Sequence, residues 1–255
     1  MNFGKKNKYY FLSNLNNTGY EATGDINHLI RPYRIDEPGS IGDDQTANTI
    51  LGLGFDTPNL NQKRVNLNNV EMTSLNSIFS LSDKIKLKTL GFFKTDEVDF
   101  LRNSKHQFSI GNTTFNNVED FTGREIEFTG FGKIEVTYDI NKTKTLEFTG
   151  KYNKTNEPYK SGLLFNNDLL NDRLSTNNQL IDQKVVLTNK YKDNKVLLLS
   201  GRYILEKTPQ NYFVNQFIFS DLFTENANNT NQFSENKMQF AGIEAHVLDK
   251  KNNSK

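Results

Sequence analysis

Glu125, Glu127, Glu135 and Asp139 fall on odd-numbered positions of one stretch, the spacing that puts carboxylates on one side of a β-strand. Paired carboxylates are the usual apparatus of general acid–base chemistry. Lys133 shares that side, and Glu147 and Lys151 face it across a hairpin. A mixed-charge, hydrated wall is the simpler reading of such a face. Asp96, Glu97 and Asp99 supply oxygen ligands of the kind Ca²⁺ takes from a loop. A solvated loop start is the ordinary reading of that cluster. Glu37, Asp43 and Asp44 surround two glycines and read as a turn.

Other chemistries lack their parts. Leu51-Gly-Leu-Gly-Phe55 misses the third glycine and the strand–helix setting of a dinucleotide fingerprint. His28, His106 and His246 are scattered and form no local metal pair. No Gly-x-Ser-x-Gly elbow is present, and cysteine is absent, which removes thiol catalysis and thiolate metal sites. The reading is no catalytic residue, no metal, no cofactor and no enzyme. Net charge is +1, with no basic cluster interleaved with aromatics, so no nucleic-acid partner is expected.

The carboxylate stretch is more informative as an element than as a reagent. Along Glu125–Asp139, Ile126, Phe128, Gly130, Gly132, Ile134, Val136 and Tyr138 alternate with Glu125, Glu127, Thr129, Lys133, Glu135, Thr137 and Asp139. Phe131 is the one intruder. Thr143–Asn153 repeats the pattern, with Leu146, Phe148, Gly150 and Tyr152 against Thr145, Glu147, Thr149, Lys151 and Asn153. Such alternation makes a strand with one apolar and one polar face. Both segments far exceed the usual strand of about five or six residues. A wall apolar outside and charged inside suits a membrane β-barrel.

Further strands are expected over Lys8–Leu15, Val65–Leu81, Ile85–Lys94, around Val185–Tyr191, Leu197–Leu205 and Lys237–Leu248. Tight turns at Ser82–Lys84, Asn141–Lys142 and Lys192–Asn194 join them, and long polar loops are expected near Thr95–Arg124, Lys154–Gln179 and Lys207–Glu235. Short turns at one end and long loops at the other are the mark of outer-membrane barrels. Residues 18–62 read as a long irregular loop and 249–255 as a charged tail. The fold expected is all-β: an antiparallel meander of about eight strands forming part of a larger transmembrane barrel. Lipid-facing residues are Ile126, Phe128, Ile134, Val136, Tyr138, Leu146, Phe148, Tyr152, Leu197, Leu199 and Tyr203. Lumen-facing residues are Glu125, Glu127, Lys133, Glu135, Glu147 and Lys151.

The 35% hydrophobic content and mean hydropathy of −0.68 are low for a soluble globule of 255 residues but ordinary for a barrel with wet lumen and loops. No apolar run of transmembrane-helix length occurs. No signal-peptide pattern opens the chain, and no terminal aromatic strand closes it. The expectation is a fragment whose export signal lies upstream.

From Tyr9 to about Leu248 the chain resembles the first part of the barrel of a TonB-dependent outer-membrane receptor of the Bacteroidetes type. The similar pieces are NKYYFLSNLNNTGY, IRPYRIDEPGSIGDDQTANTILGLGFDTPNL, FTGFGKIEVTYDINKTKTLEFTGKYNKTN, LLNDRLSTNNQLIDQKVVLTNKYKDNK and ENKMQFAGIEAHVLD. The resemblance implies a barrel of about 22 strands with a plug inside it. It also implies location in the outer membrane, contact with its lipid, and uptake of a small-molecule or glycan ligand driven through TonB. The TonB-contacting box, the plug and the later strands of that family are missing from this sequence, so TonB and plug would be partners only in an intact receptor. A soluble β-rich binding or adhesion protein, secreted or periplasmic, is the alternative, and a complete eight-strand barrel a third.

Overall fold

The computed structural model describes residues 2–4, 6–18, 41–53, 67–166, 168–192, 195–215 and 227–249. These form a single nine-stranded antiparallel sheet in which every strand pairs with its neighbours in sequence. The strands are β1 (Asn2–Phe3), β2 (Asn7–Asn16), β3 (Leu67–Ser80), β4 (Ile85–Ile110), β5 (Thr113–Asn141), β6 (Lys144–Phe165), β7 (Asp168–Lys192), β8 (Lys195–Val214) and β9 (Thr230–Asp249). β1 is a two-residue stub, so eight strands carry the sheet. This is the all-β meander expected from the alternation. Most of the 18–62 segment, the 193–194 turn and nearly all of the 249–255 tail lie outside the described residues.

Of the polar stretches expected as loops, Thr95–Arg124 and Lys154–Gln179 are strand for most of their length, while in Lys207–Glu235 the strands reach Val214 and resume at Thr230. β5 runs 29 residues, about 95 Å if fully extended. β4 and β5 stay paired from Ile85↔Tyr138 to Ile110↔Thr113, so Thr95–Arg124 is a hairpin with a tip at Gly111-Asn112. Gly111 has φ +61°, a conformation that glycine adopts without a Cβ clash. β6 and β7 likewise pair up to Phe165↔Asp168, with Asn166 at φ 47°. The reason the alternation failed to mark these extensions is chemical. Beyond the apolar band the outer face is mostly polar and the inner face mixes charged residues with apolar ones such as Phe100 and Tyr159, so the period-two signal fades while the backbone pairing continues. Gly-Asn at the first tip and Asn-Asn at the second were the turn signals available.

Side-chain capping fixes two of the turns at the opposite end. Ser82 Oγ accepts from the amides of Lys84 at 3.2 Å and Ile85 at 3.1 Å. Asn141 Oδ1 accepts from the amides of Thr143 and Lys144, both at 2.9 Å. Both are the local side-chain bonds that make Ser and Asn turn residues.

Register assigns each residue to a face, because directly paired residues point the same way. Val70, Met72, Phe92, Phe131, Leu180 and Ile204 are buried and share one face, here called inner. All other buried residues lie on that face too, except Ser77, whose direct partner is Tyr9. On β3 the alternation is nearly perfect, with Val70 at 0% exposed and Met72 at 7% between exposed neighbours. The opposite, outer face carries Leu75, Phe93, Phe128, Ile134, Tyr138, Tyr152, Val185, Leu199 and Ile243, all exposed.

Candidate functional site

The outer face has a sharply bounded apolar band. Starting near the Ser82 and Asn141 turns, successive rows read Ile85–Tyr138–Leu146–Leu187–Leu199–Ala245 and Leu87–Val136–Phe148–Val185–Gly201–Ile243. Thr89–Ile134–Gly150–Gln183–Tyr203–Ala241 and Gly91–Gly132–Tyr152–Ile181–Leu205–Gln239 follow. One step farther the row becomes Phe93–Gly130–Lys154–Gln179–Lys207–Lys237. On β6 and β8 the change from apolar to basic takes a single pleat, from Tyr152 to Lys154 and from Leu205 to Lys207. Above it the outer face is mostly polar, with scattered apolar residues such as Leu101 and Leu169, and the outer-face Arg173 guanidinium stacks 4.7 Å from the ring of its partner Phe213.

Ile126, Phe128, Ile134, Val136, Tyr138, Leu146, Phe148, Tyr152, Leu197, Leu199 and Tyr203 all stand on the outer face. Glu125, Glu127, Lys133, Glu135, Glu147 and Lys151 all stand on the inner one. The two sets are therefore segregated by the sheet itself.

The inner face holds two polar clusters separated by an apolar patch. The patch is Met72, Phe92 and Phe131, with Leu90 packed against it. Phe131, the intruder in its strand's alternation, is 4% exposed. Below the patch, Arg202 Nε and Nη2 donate to the two oxygens of Asp182, each at 2.9 Å. Lys151 Nζ lies 3.3 Å from the same carboxylate. All three side chains are at most 10% exposed. Buried charges persist only when paired and hydrogen-bonded in this way.

The segment 41–53 crosses this face without becoming a strand, and β8 supplies most of its anchors. Arg202 Nη1 donates to the Ile41 carbonyl at 3.0 Å and also bonds Asp43. Glu206 Oε2 accepts from the Ala47 amide at 2.7 Å, and its other oxygen accepts from Asn178 at 3.1 Å. Gln210, 1% exposed, accepts from the amides of Ile50 and Leu51, each at 3.0 Å, and donates to the Leu51 carbonyl at 2.8 Å. These side chains satisfy backbone groups that an irregular segment would otherwise leave unpaired. Gly42, at φ +79°, fits beneath the Phe240 ring, where a Cβ would lie 2.7 Å from a ring carbon. Sequence reading placed Asp43 and Asp44 in a turn but gave no sign of this docking. The anchors Arg202, Glu206 and Gln210 are single polar residues on a strand face, and only the fold brings residues 160 positions apart into contact.

Above the patch, Asp96, Glu127 and Glu157 are neighbours across three strands, with Lys94 next to them. Lys94 Nζ lies 2.8 Å from Glu127 and 3.7 Å from Asp96. The loop Ca²⁺ site considered for Asp96, Glu97 and Asp99 is thereby corrected. All three lie within β4, where alternation sends Asp96 inward and Glu97 and Asp99 outward, toward Arg124. Among the described residues no group of three acidic, histidine or cysteine side chains is arranged to hold a metal. Among the described residues no helix is long and apolar enough to cross a membrane, which says nothing of a β-barrel.

No family model matches the chain, and no curated protein matches it. Among solved structures, it is similar to the ferric yersiniabactin uptake receptor FyuA from Yersinia pestis, at 12% identity and a TM-score of 0.46. The alignment covers 71% of this chain and 25% of the receptor, so this chain spans only a fraction of that protein's length.

Proposed function

We propose that this chain is a section of the wall of a TonB-dependent outer-membrane receptor of the Bacteroidetes type. It is non-enzymatic, and in the intact protein it helps take up a small-molecule or glycan ligand. The observation that carries this reading is the partition of the sheet. An apolar band that on β5 runs from Phe128 to Tyr138 occupies one face, and the buried, charged and hydrogen-bonded groups occupy the other. That span matches the roughly 9–11 residues a tilted strand needs to cross a bilayer. Lipid then covers the outer face, while the inner face addresses a plug and the ligand path. TonB contacts the intact receptor through parts outside this sheet.

The cysteine-free sequence makes the test direct. Single cysteines at Val136 and Thr137, neighbours on opposite faces, are labelled with a nitroxide after the chain is folded into vesicles. The expected result is that a lipid-soluble relaxation agent broadens the Val136 label strongly and the Thr137 label weakly. Equal access of a water-soluble agent to both would overturn the membrane assignment and favour a soluble β-rich protein.

A further inference from the structure

The outer face has a trough whose floor is glycine. Gly91, Gly130 and Gly132 are adjacent on β4 and β5, and a Cβ added to any of them would meet nothing within 4 Å. The walls are Leu75, Phe93, Phe128 and Tyr152, which enclose about 770 Å³ of open space. Lys154 closes one side, directly across from Gly130, and its exposed side chain stands at the level where the band turns basic. Lys207 and Lys237 continue that row on β8 and β9.

A second depression, about 650 Å³, lies on the same face around Gly201, between Phe148, Val185, Tyr203 and Ile243. Its one lining cation is Arg202, which points to the inner face and binds Asp182 there. Two hollows of similar size and apolar character thus differ in whether a cation stands at the rim.

We infer that the Gly91–Gly130–Gly132 trough binds one acyl chain of an anionic membrane lipid, with the lipid's phosphate held by Lys154. This rests on the membrane reading above. A glycine floor with aromatic walls accepts a flexible hydrocarbon chain without a hydrogen-bond requirement. A lysine at the edge of an apolar surface lays its methylenes along it and lifts its ammonium into the headgroup layer. An anionic headgroup there completes the charge, and the row of Lys207 and Lys237 makes the same level attractive to the neighbouring lipids.

The test uses the full chain folded into phosphatidylcholine vesicles containing spin-labelled phosphatidylglycerol or spin-labelled phosphatidylcholine. The readout is the motionally restricted fraction of each. The expected result is a preference for phosphatidylglycerol that Lys154→Gln lowers by roughly fivefold at its site. Gly132→Leu, which fills open space, lowers it as well, whereas Gly201→Leu, filling the second depression, leaves it unchanged. A preference untouched by Lys154→Gln and Gly132→Leu, or lost equally with Gly201→Leu, overturns the lipid site while leaving the membrane reading intact. No restricted fraction of either lipid overturns the membrane reading, and the lipid site with it.

Discussion

Arg202 meets Asp182 side-on, each carboxylate oxygen receiving one guanidinium N–H at 2.9 Å, on a face where both are nearly inaccessible to water. Asp182 also neutralises Lys151, so one carboxylate serves two cations. Asp182→Ala removes the carboxylate that both cations share, leaving Arg202 only its contacts to Asp43 and the Ile41 carbonyl, and should destabilise the sheet by about 3–5 kcal/mol. Replacing all three by apolar residues of similar volume should cost much less. Urea titration of the single and triple variants in detergent checks this, and equal losses in both would contradict it.

Placing a charge on the outer face should discriminate by side. Val136→Lys puts an ammonium in the middle of the apolar band and should cost roughly 2–4 kcal/mol of folding into a bilayer. Thr137→Lys, one residue on, faces inward and should cost far less. Equilibrium folding into vesicles measures both, and equal costs would contradict the facing.

Glu157 gives a pH signature. Its carboxyl is held above the ordinary glutamate range by burial first, then by Glu127 and Glu125, with Lys94 pulling the other way. A raised pKa in the folded state means that folding favours the protonated form. Its contribution is complete below about pH 4.3, the unfolded value, and is lost as pH rises through the folded value. Glu157→Gln should therefore stabilise the protein near pH 7 and change little near pH 4. Thermal melts at the two pH values would show it, and an equal shift at both would contradict it.

The tip of the β4–β5 hairpin depends on Gly111. Its φ of +61° penalises a side chain by about 1–2 kcal/mol, so Gly111→Val should fray the far end of that hairpin. Amide exchange should quicken near Gly111 and stay slow near Phe131. A uniform change along β4 and β5 would contradict local fraying.

How far the fold was legible follows the side chains that alternate. From Ile134 to Tyr138, and again from Leu146 to Tyr152, the apolar face announced strand, facing and turn together, and the register reproduces that division. The extensions through Phe100, Tyr159 and Leu174 were invisible because these buried residues stand among charged and polar ones on the same inner face, such as Asp96, Arg102 and Asp172, so neither face keeps a single character. The strap over Arg202, Glu206 and Gln210 was invisible for another reason. Its stability comes from backbone groups of residues 41–53 meeting side chains on β8, and no local pattern encodes that meeting.

Because each strand pairs only with its sequence neighbours, the sheet is laid down like a folded ribbon. From β3 to β8 no pairing has to wait for a distant partner, and the loop that each new strand closes is short; only β2–β3 and β8–β9 close longer ones. Removing or adding a hairpin at the β9 end would leave the registers of β3 to β7 untouched. The architecture is modular in units of two strands, so its wall is free to lengthen or shorten by whole hairpins while each unit keeps its apolar side on one face of the sheet and its buried polar side on the other.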